Sequence, residues 1–454
     1  MTPLKGARLN IGGVIVSDVF LTALFITLSI IIFLGCNITF RLNIAKLVAD
    51  LKKNAVLIFS GMFLAVSLFI TADQLDVPNY LKRSMGPYSG FYETNYINPR
   101  DVAFEFPEKK KNLLVIVVES LETTYMNTAD GGAFSEDLIP HTRDLGKLYI
   151  NFSGSDGTGG ARQLFGTGWT VAGIVSYFSG IPLALPMGGN AYGRYTDELM
   201  PGAVSLGDIL EQHGYRNYFI LGSDSDFGGR DDYFYTHGNT TIWDYNYFKE
   251  TGSIPQDYNV WWGFEDRKLY RFAKEKLREC VKSAPFFLTL LTVDMHPIDG
   301  YLDDVAERKY GGQFKNVVYD ADKQLFEFIT WCQTQDFYQD TTIVILGDHL
   351  YMDSNIFPLG EKTENRHIFN IIINSDMPDD FTKNRKFSHF DMFPTLLDSI
   401  GVNYNAKGLG LGRKMSAGEK TLLELYDEAD VNSGVTGKSK LYESFFEPRQ
   451  KSRI

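Results

Sequence analysis

Cysteine is scarce. The chain of 454 residues has three, Cys36, Cys280 and Cys332. Three cysteines cannot build a disulfide framework, which excludes a small cross-linked secreted scaffold. Cys36 lies in an apolar stretch, whereas Cys280 and Cys332 could pair outside the cytoplasm or stay as buried thiols. Positive charge is also in deficit: 44 lysines and arginines face 56 acidic residues, for a net charge of −12. That balance excludes nucleic acid as a partner and docking on anionic lipid through a polybasic patch. No internal repeat is present. Aromatic residues, by contrast, reach 14%, which suits a domain facing a membrane surface or a sugar. The length exceeds that of one small domain, and the apolar content is ample for a large core.

Two apolar runs stand near the start, at residues 14–36 and 55–72. The first is close to the ~20 residues that cross a bilayer and the second is somewhat shorter. Each could instead be a buried core helix, and the first a signal peptide. No small-residue cleavage site follows the first run and a second run comes after it, so two transmembrane helices are expected. Arg41, Lys46, Lys52 and Lys53 lie between the runs, and only Lys5 and Arg8 precede them. This bias puts the connecting loop in the cytoplasm and everything after Asp73 outside. Residues 1–75 are thus the expected membrane anchor. Residues 76–111, with Pro78, Pro87, Pro99 and Pro107, read as a linker.

From Asn112 the chain alternates apolar runs with amphipathic stretches. Strands are predicted over 113–118, 215–221, 286–293, 342–346 and 368–373. Helices are predicted over 138–148, 203–213, 267–281, 320–333 and 390–400. In the second of these, Leu206, Ile209 and Leu210 share a face and Gly214 ends the helix. Such alternation predicts an α/β domain over 112–433, with a mostly parallel central sheet and helices on both faces. Residues 434–454 read as a polar tail.

In an open α/β sheet, ligand-binding side chains collect just beyond the carboxyl ends of the strands. The apolar run 342–346 reads as a strand buried on both faces, followed by Gly347, Asp348 and His349. Asp and His together offer a hard oxygen and an imidazole nitrogen, a common start to a metal site. Taken alone, the pair reads at least as readily as a turn capping the next element. Glu119 follows the first strand, a Gly- and Asp-rich loop ending in Arg230 follows the second, and Asp294 and His296 follow the third. Each has its own structural reading: Glu119 as a helix cap, Arg230 as a surface ion-pair partner, His296 as support for the turn before Pro297. In a parallel sheet all four groups share one edge, which packing alone does not explain.

Residues 153–168 hold glycines at 154, 157, 159, 160, 166 and 168. Such a loop lets backbone N–H groups approach a phosphate. Thr167 ends it before a predicted helix, as an N-cap or as a hydroxyl presented to phosphorus. A free threonine hydroxyl is a poor nucleophile and needs a base or a metal.

The segments from Asn112 to Glu119, from Gly166 and Thr167 through Gly173 to Ser179 and Pro182, from Thr292 to His296, and from Leu346 to His349 resemble the phosphoglycerol transferases. These are the periplasmic-glucan phosphoglycerol transferases and lipoteichoic acid synthases of the alkaline phosphatase/sulfatase superfamily. The resemblance covers roughly Asn112 to Lys414, and the first branch is the more similar around residues 167–182. It implies one divalent metal, manganese or magnesium with zinc as an alternative, held by Glu119, Thr167, Asp348 and His349. It further implies Thr167 as nucleophile, Arg230 on the lipid phosphate, and His296 at the phosphoglycerol group or as acid/base. Phosphatidylglycerol would be the donor and an envelope glycan the acceptor, with the catalytic domain on the outer side of a bacterial inner membrane. Leu221 and Gly228 stand where lipoteichoic acid synthases carry a His and a Trp, so glycerol recognition differs from theirs. Rival readings are a phosphoethanolamine transferase, which commonly carries several disulfides, and a sulfatase or phosphodiesterase. The Cys/Ser-x-Pro-x-Arg context of sulfatases is absent around Thr167. A membrane-anchored envelope protein without catalysis is the reading of another class.

Overall fold

The computed structural model describes residues 8–11, 14–17, 46–74, 85–184, 197–353, 356–357 and 366–448, with single positions at 77 and 81. The chain divides into two compact units, residues 1–87 with 185–192 and residues 88–184 with 193–454.

In the first unit, Arg8–Ile11 pairs antiparallel with Val14–Ser17. The first expected span therefore begins as a short strand, and its remainder lies outside the described residues. The second expected span lies within helix α1, Lys46–Gln74. Its segment Asn54–Ala72, 19 residues, is long and apolar enough to cross a membrane, and none of it is buried within the protein. Phe59, Phe63 and Phe69 stand exposed along it. A helix apolar on its outside fits an apolar surrounding better than water.

The second unit is built on seven strands: β1 Asn112–Val118, β2 Gly160–Ala161, β3 Arg216–Leu221, β4 Thr241–Trp243, β5 Phe286–Leu291, β6 Thr341–Gly347 and β7 Ile368–Ile373. Their order across the sheet is β2-β7-β6-β1-β5-β3-β4. The five strands from β6 to β4 are mutually parallel. β7 runs antiparallel to β6, and β2 antiparallel to β7. The strand over 342–346 is buried throughout, as its composition predicts, but it is parallel to a neighbour on one side only and ends the parallel block. Asn112 ties the starts of three central strands. Its Nδ2 donates to Thr341 Oγ1 at 3.1 Å and its Oδ1 accepts from Phe286 N at 3.2 Å.

One face of the sheet, with Leu114, Ile116, Leu288, Leu290, Ile343 and Ile345, packs against α2 Pro140–Leu148, α6 Asp266–Cys280 and α7 Gln313–Gln333. The other face carries α3 Thr170–Ser179, α4 Leu206–Gln212 and α8 Met392–Ser399. Helices on both faces force near-continuous apolar strands. α7 starts earlier than predicted, right after Gly312, because Phe314, Val317 and Val318 extend its buried stripe. A short helix, α5 Arg230–Thr236, stands where only a loop end is expected. Cys280 and Cys332 are both free and buried.

Both flanks of the expected domain belong to the same unit. Phe104–Glu105 pairs with Asn403–Tyr404. Tyr92 donates to the carbonyl of Val435 at 3.0 Å. The polar tail folds into α9 Glu428–Thr436 and α10 Lys440–Ser444. Tyr442 anchors it: the hydroxyl donates to Pro182 O at 2.9 Å and accepts from Ala184 N at 2.7 Å. A few aromatics outweigh many charges here, because one buried aromatic ring removes ~150–250 Å² from water.

Candidate functional site

Register builds the site. Val118 of β1 pairs with Gly347 of β6, so Glu119 and Asp348 leave the sheet side by side. His349 follows at once. One ligand atom from each of Glu119, Asp348 and His349 lies within 4.8 Å of the others. All three are buried, at 2%, 0% and 1% exposure. Neither Glu119 nor the Asp348–His349 pair acts merely as a cap. Asp348 Oδ1 accepts from Ser120 N at 2.7 Å and His349 N at 2.8 Å, while Oδ2 makes no hydrogen bond and lies 3.4 Å from His349 Nε2. His349 Nδ1 donates to Leu350 O at 2.9 Å. That bond places the proton on Nδ1 and leaves a lone pair on Nε2, which makes no hydrogen bond and stands 3.5 Å from Glu119 Oε1.

These orphaned atoms test the fit of a cation. Burying a carboxylate without counter-charge costs several kcal/mol, and two of them converge here. Burial and the charge of Glu119 push Asp348 up to about 7. For His349, burial works downward, but Asp348 and Glu119 outweigh it and raise the group overall. Two hard oxygens and a deprotonated imidazole nitrogen, in a site short of positive charge, suit a divalent metal.

Thr167 is fully buried, and it is not an N-cap. Trp169 occupies that position before α3. The Thr167 hydroxyl instead donates to Leu164 O at 2.9 Å and accepts from Leu164 N at 3.1 Å. One turn on, Thr170 Oγ1 lies 3.5 Å from Glu119 Oε2, so the threonine-bearing connection enters a helix that starts against the cluster. Most of the glycine-rich stretch does not form a phosphate cradle. Gly159 N donates to Asn151 Oδ1 at 2.9 Å, and Gly160 and Ala161 form β2. A Cβ on Gly160 would lie 1.9 Å from Ile368 O, so glycine is required there for strand pairing.

Arg230 is buried at 6% exposure, which rules out a surface ion pair. One Nη donates to Asp224 O, and Nε has no partner. Burial lowers it to about 10 against the pull of Asp224 and Glu119. His296 is half-buried. Its Nδ1 donates to Pro297 O at 2.8 Å, which leaves Nε2 as an acceptor. Burial pushes it down to about 4, with His349 and Arg230 adding to the effect.

Sequence reasoning named Asp294 but missed its partner Asp266 and the other groups that hold these residues. Asp266 Oδ1 and Oδ2 accept from Val293 N and Asp294 N at 2.8 and 2.9 Å, and Asp294 Oδ2 accepts from Asp266 N at 3.0 Å. This reciprocal clasp secures the loop bearing His296. Gln163 Oε1 accepts from Leu350 N at 2.8 Å. Tyr177 and His389 bond the backbone at the end of β6. An Asp at the first position of α6 and a Tyr inside an apolar helix were the available signals.

A family model described as Sulfatase matches residues 111–402. The chain is 34% identical over 321 residues to "Phosphoglycerol transferase I" of Escherichia coli, and equally to that of Shigella boydii. Each alignment covers 69% of this chain and 40% of the relative, so the chain spans less than half the length of the curated relatives it matches. Among solved structures, it resembles a protein of the alkaline phosphatase superfamily from Vibrio parahaemolyticus, with a TM-score of 0.52 and 20% identity over 75% of this chain and 88% of that one. It also resembles the lipoteichoic acid synthase LtaP from Listeria monocytogenes, with a TM-score of 0.53 and 19% identity over 69% and 79%. Both likenesses concern the fold.

Proposed function

The chain belongs to the sulfatase family, and on that premise we propose that it is a membrane-bound phosphotransferase moving sn-glycerol-1-phosphate from phosphatidylglycerol to a cell-envelope glycan. The observation that carries this reading is the buried Glu119–Asp348–His349 cluster with its two orphaned atoms. It stands at the same strand ends as Arg230 and His296, and the named relatives point to the group transferred.

Glu119, Asp348 and His349 would hold one divalent cation, manganese, magnesium or zinc, with Thr167 completing the set once its hydroxyl leaves Leu164. Such a cation supplies positive charge that lowers a hydroxyl pKa and offsets phosphate charge. Arg230, unpartnered at Nε, orients the lipid phosphate in a low-dielectric site where its charge acts strongly. Thr167 Oγ1 forms a bond to phosphorus and the bond to diacylglycerol breaks. The threonine proton ends on the diacylglycerol hydroxyl, and glycerophospho-threonine remains. An acceptor hydroxyl then gives its proton toward His296 Nε2 and attacks phosphorus, and the proton returns to Thr167 as its bond to phosphorus breaks. Two displacements give ping-pong kinetics. An anchor in α1 would tether the chain to the outer face of a bacterial inner membrane, the bilayer that supplies its lipid donor.

The test is incubation of the full chain with phosphatidylglycerol labelled in its terminal glycerol, followed by peptide mass spectrometry. A glycerophosphoryl adduct on Thr167, absent in a folded Thr167→Ala variant, is the expected result. Label transfer from phosphatidylethanolamine instead would overturn the donor.

A further inference from the structure

Beside the site stands a turn that the mechanism above does not use. Val260 N donates to Gly263 O at 2.8 Å, and Gly263 N donates to Val260 O at 3.0 Å, so Trp261 and Trp262 form a two-residue turn tip. Trp261 has a φ of +56°, a left-handed conformation that a bulky side chain rarely adopts. Left-handed strain of this kind concentrates at functional sites. The turn is fastened to the end of β3. Ser223 bridges to Gly263, and Phe264 N donates to Gly222 O at 2.9 Å. A Cβ on Gly263 would lie 2.1 Å from Gly222 O, so the two backbones meet there only because glycine is present.

This geometry decides where Trp262 goes. Its ring centroid lies 4.7 Å from that of His296 and 5.5 Å from that of Phe227. The guanidinium of Arg230 stands 5.5 Å from the centre of the Phe227 ring. Arg230, Phe227, Trp262 and His296 therefore form one row, with a charged group at one end and an unprotonated imidazole nitrogen at the other. Phe227, Trp262 and His296 are all half-buried, and so remain open on one side. Trp261 is the turn's outward residue, at 38% exposure.

We infer that Trp262, backed by Phe227, is a substrate-binding residue: its ring is the apolar wall against which the carbon skeleton of the group esterified to the transferred phosphate rests. The inference rests on the phosphoglycerol reading and adds to it the residue that holds the glyceryl group. Arg230 and His296 meet the phosphate and a hydroxyl, and neither offers a surface for the C–H edges between them. An aromatic ring does so with little loss of conformational freedom.

Steady-state transfer from phosphatidylglycerol by the full chain tests this alongside a titration of the manganese-loaded protein with sn-glycerol-1-phosphate, followed by tryptophan fluorescence. Trp262→Ala is expected to raise KM about tenfold, the worth of one aromatic contact, with a much smaller change in kcat. Trp262→Phe should recover most of the KM, and should lose the fluorescence response seen in the wild type. Trp261→Gly, which suits a left-handed φ, should behave as wild type in both assays. Unchanged KM and an unchanged fluorescence response in the Trp262 variants would overturn the inference, as would an equal loss in Trp261→Gly. A wild type that binds glycerol phosphate through Trp262 but transfers nothing would refute the transfer reading and leave the wall standing.

Discussion

His389 Nε2 donates to the backbone carbonyl of Asp348 at 2.9 Å. The His389 ring, fully buried, lies 4.6 Å from that of Tyr177, whose hydroxyl donates to Gly347 O at 2.5 Å. The two side chains fix successive carbonyls of the peptide that carries Asp348 and His349, the candidate metal ligands. Burial holds His389 down to about 4, so it stays a neutral donor across the physiological range. Groups that orient metal ligands typically contribute ~10–100-fold to affinity. His389→Phe, which keeps the ring on Tyr177 and loses the donor, should weaken manganese binding by about that factor. Calorimetric titration of the folded variant checks it. Wild-type affinity would mean that Tyr177 alone holds the strand end.

Gly173 sits in the middle of α3, where alanine would ordinarily stabilise a helix by ~1 kcal/mol. Here a Cβ would lie 2.3 Å from Asp348 O. Gly173→Ala should therefore destabilise the fold by roughly 1–3 kcal/mol, as overpacking does, and shift a ligand as well. Urea unfolding and metal titration of the same variant should move together. Added stability in the alanine variant would show that α3 can slide away from β6.

Metal should stabilise the fold by mass action. At a hundredfold the dissociation constant, a cation that binds only the folded state adds about 2.7 kcal/mol. Manganese added to chelator-treated protein should raise the Tm, and Asp348→Asn should remove most of that rise, since the orphaned Oδ2 is then no longer anionic. Asp348→Asn should also relieve charge repulsion with Glu119, making the metal-free variant at least as stable as the metal-free wild type. A matching rise in wild type and variant would place the cation elsewhere.

The sheet was legible because its central strands are apolar on both faces, as 112–118 and 341–347 are. Glu119, Asp348 and His349 were legible because each directly follows such a strand. What composition cannot show is register: only the pairing of Val118 with Gly347 makes Glu119 and Asp348 neighbours. The glycine-rich stretch misled because glycine serves close strand pairing as well as it serves phosphates, and β2 uses it for the former. His389 sits in a short polar turn, with nothing local to mark a partner 41 residues away. Residues 434–454 read as a polar tail from their charges, yet Tyr442 and Phe445 are buried in the same unit as the sheet.

The clasp between Asp266 and Asp294 leads to a pH prediction. Burial, with backbone N–H donors opposing it, raises Asp266 from 3.8 to about 7. Burial and the charge of Asp266 raise Asp294 well above its ordinary value, and Asp294 Oδ1 has no partner. The folded state thus holds protons that the unfolded chain has released above about pH 4. Stability falls with pH wherever the folded state binds more protons, so this pair's contribution is fully present in acid and declines as pH rises through about 7 and beyond. Asp294→Asn removes one of the two raised carboxyls and keeps an oxygen to accept from Asp266 N. In saturating manganese, which would keep the candidate ligands Glu119 and Asp348 from titrating, urea midpoints at pH 5 and pH 8 should converge in the variant relative to the wild type. The loop carrying His296 should also resist proteolysis at pH 8 better in the variant, because the repulsion that opens the clasp is gone. If the wild type lost no more stability than Asp294→Asn between the two pH values, the clasp would not be holding extra protons in the folded state.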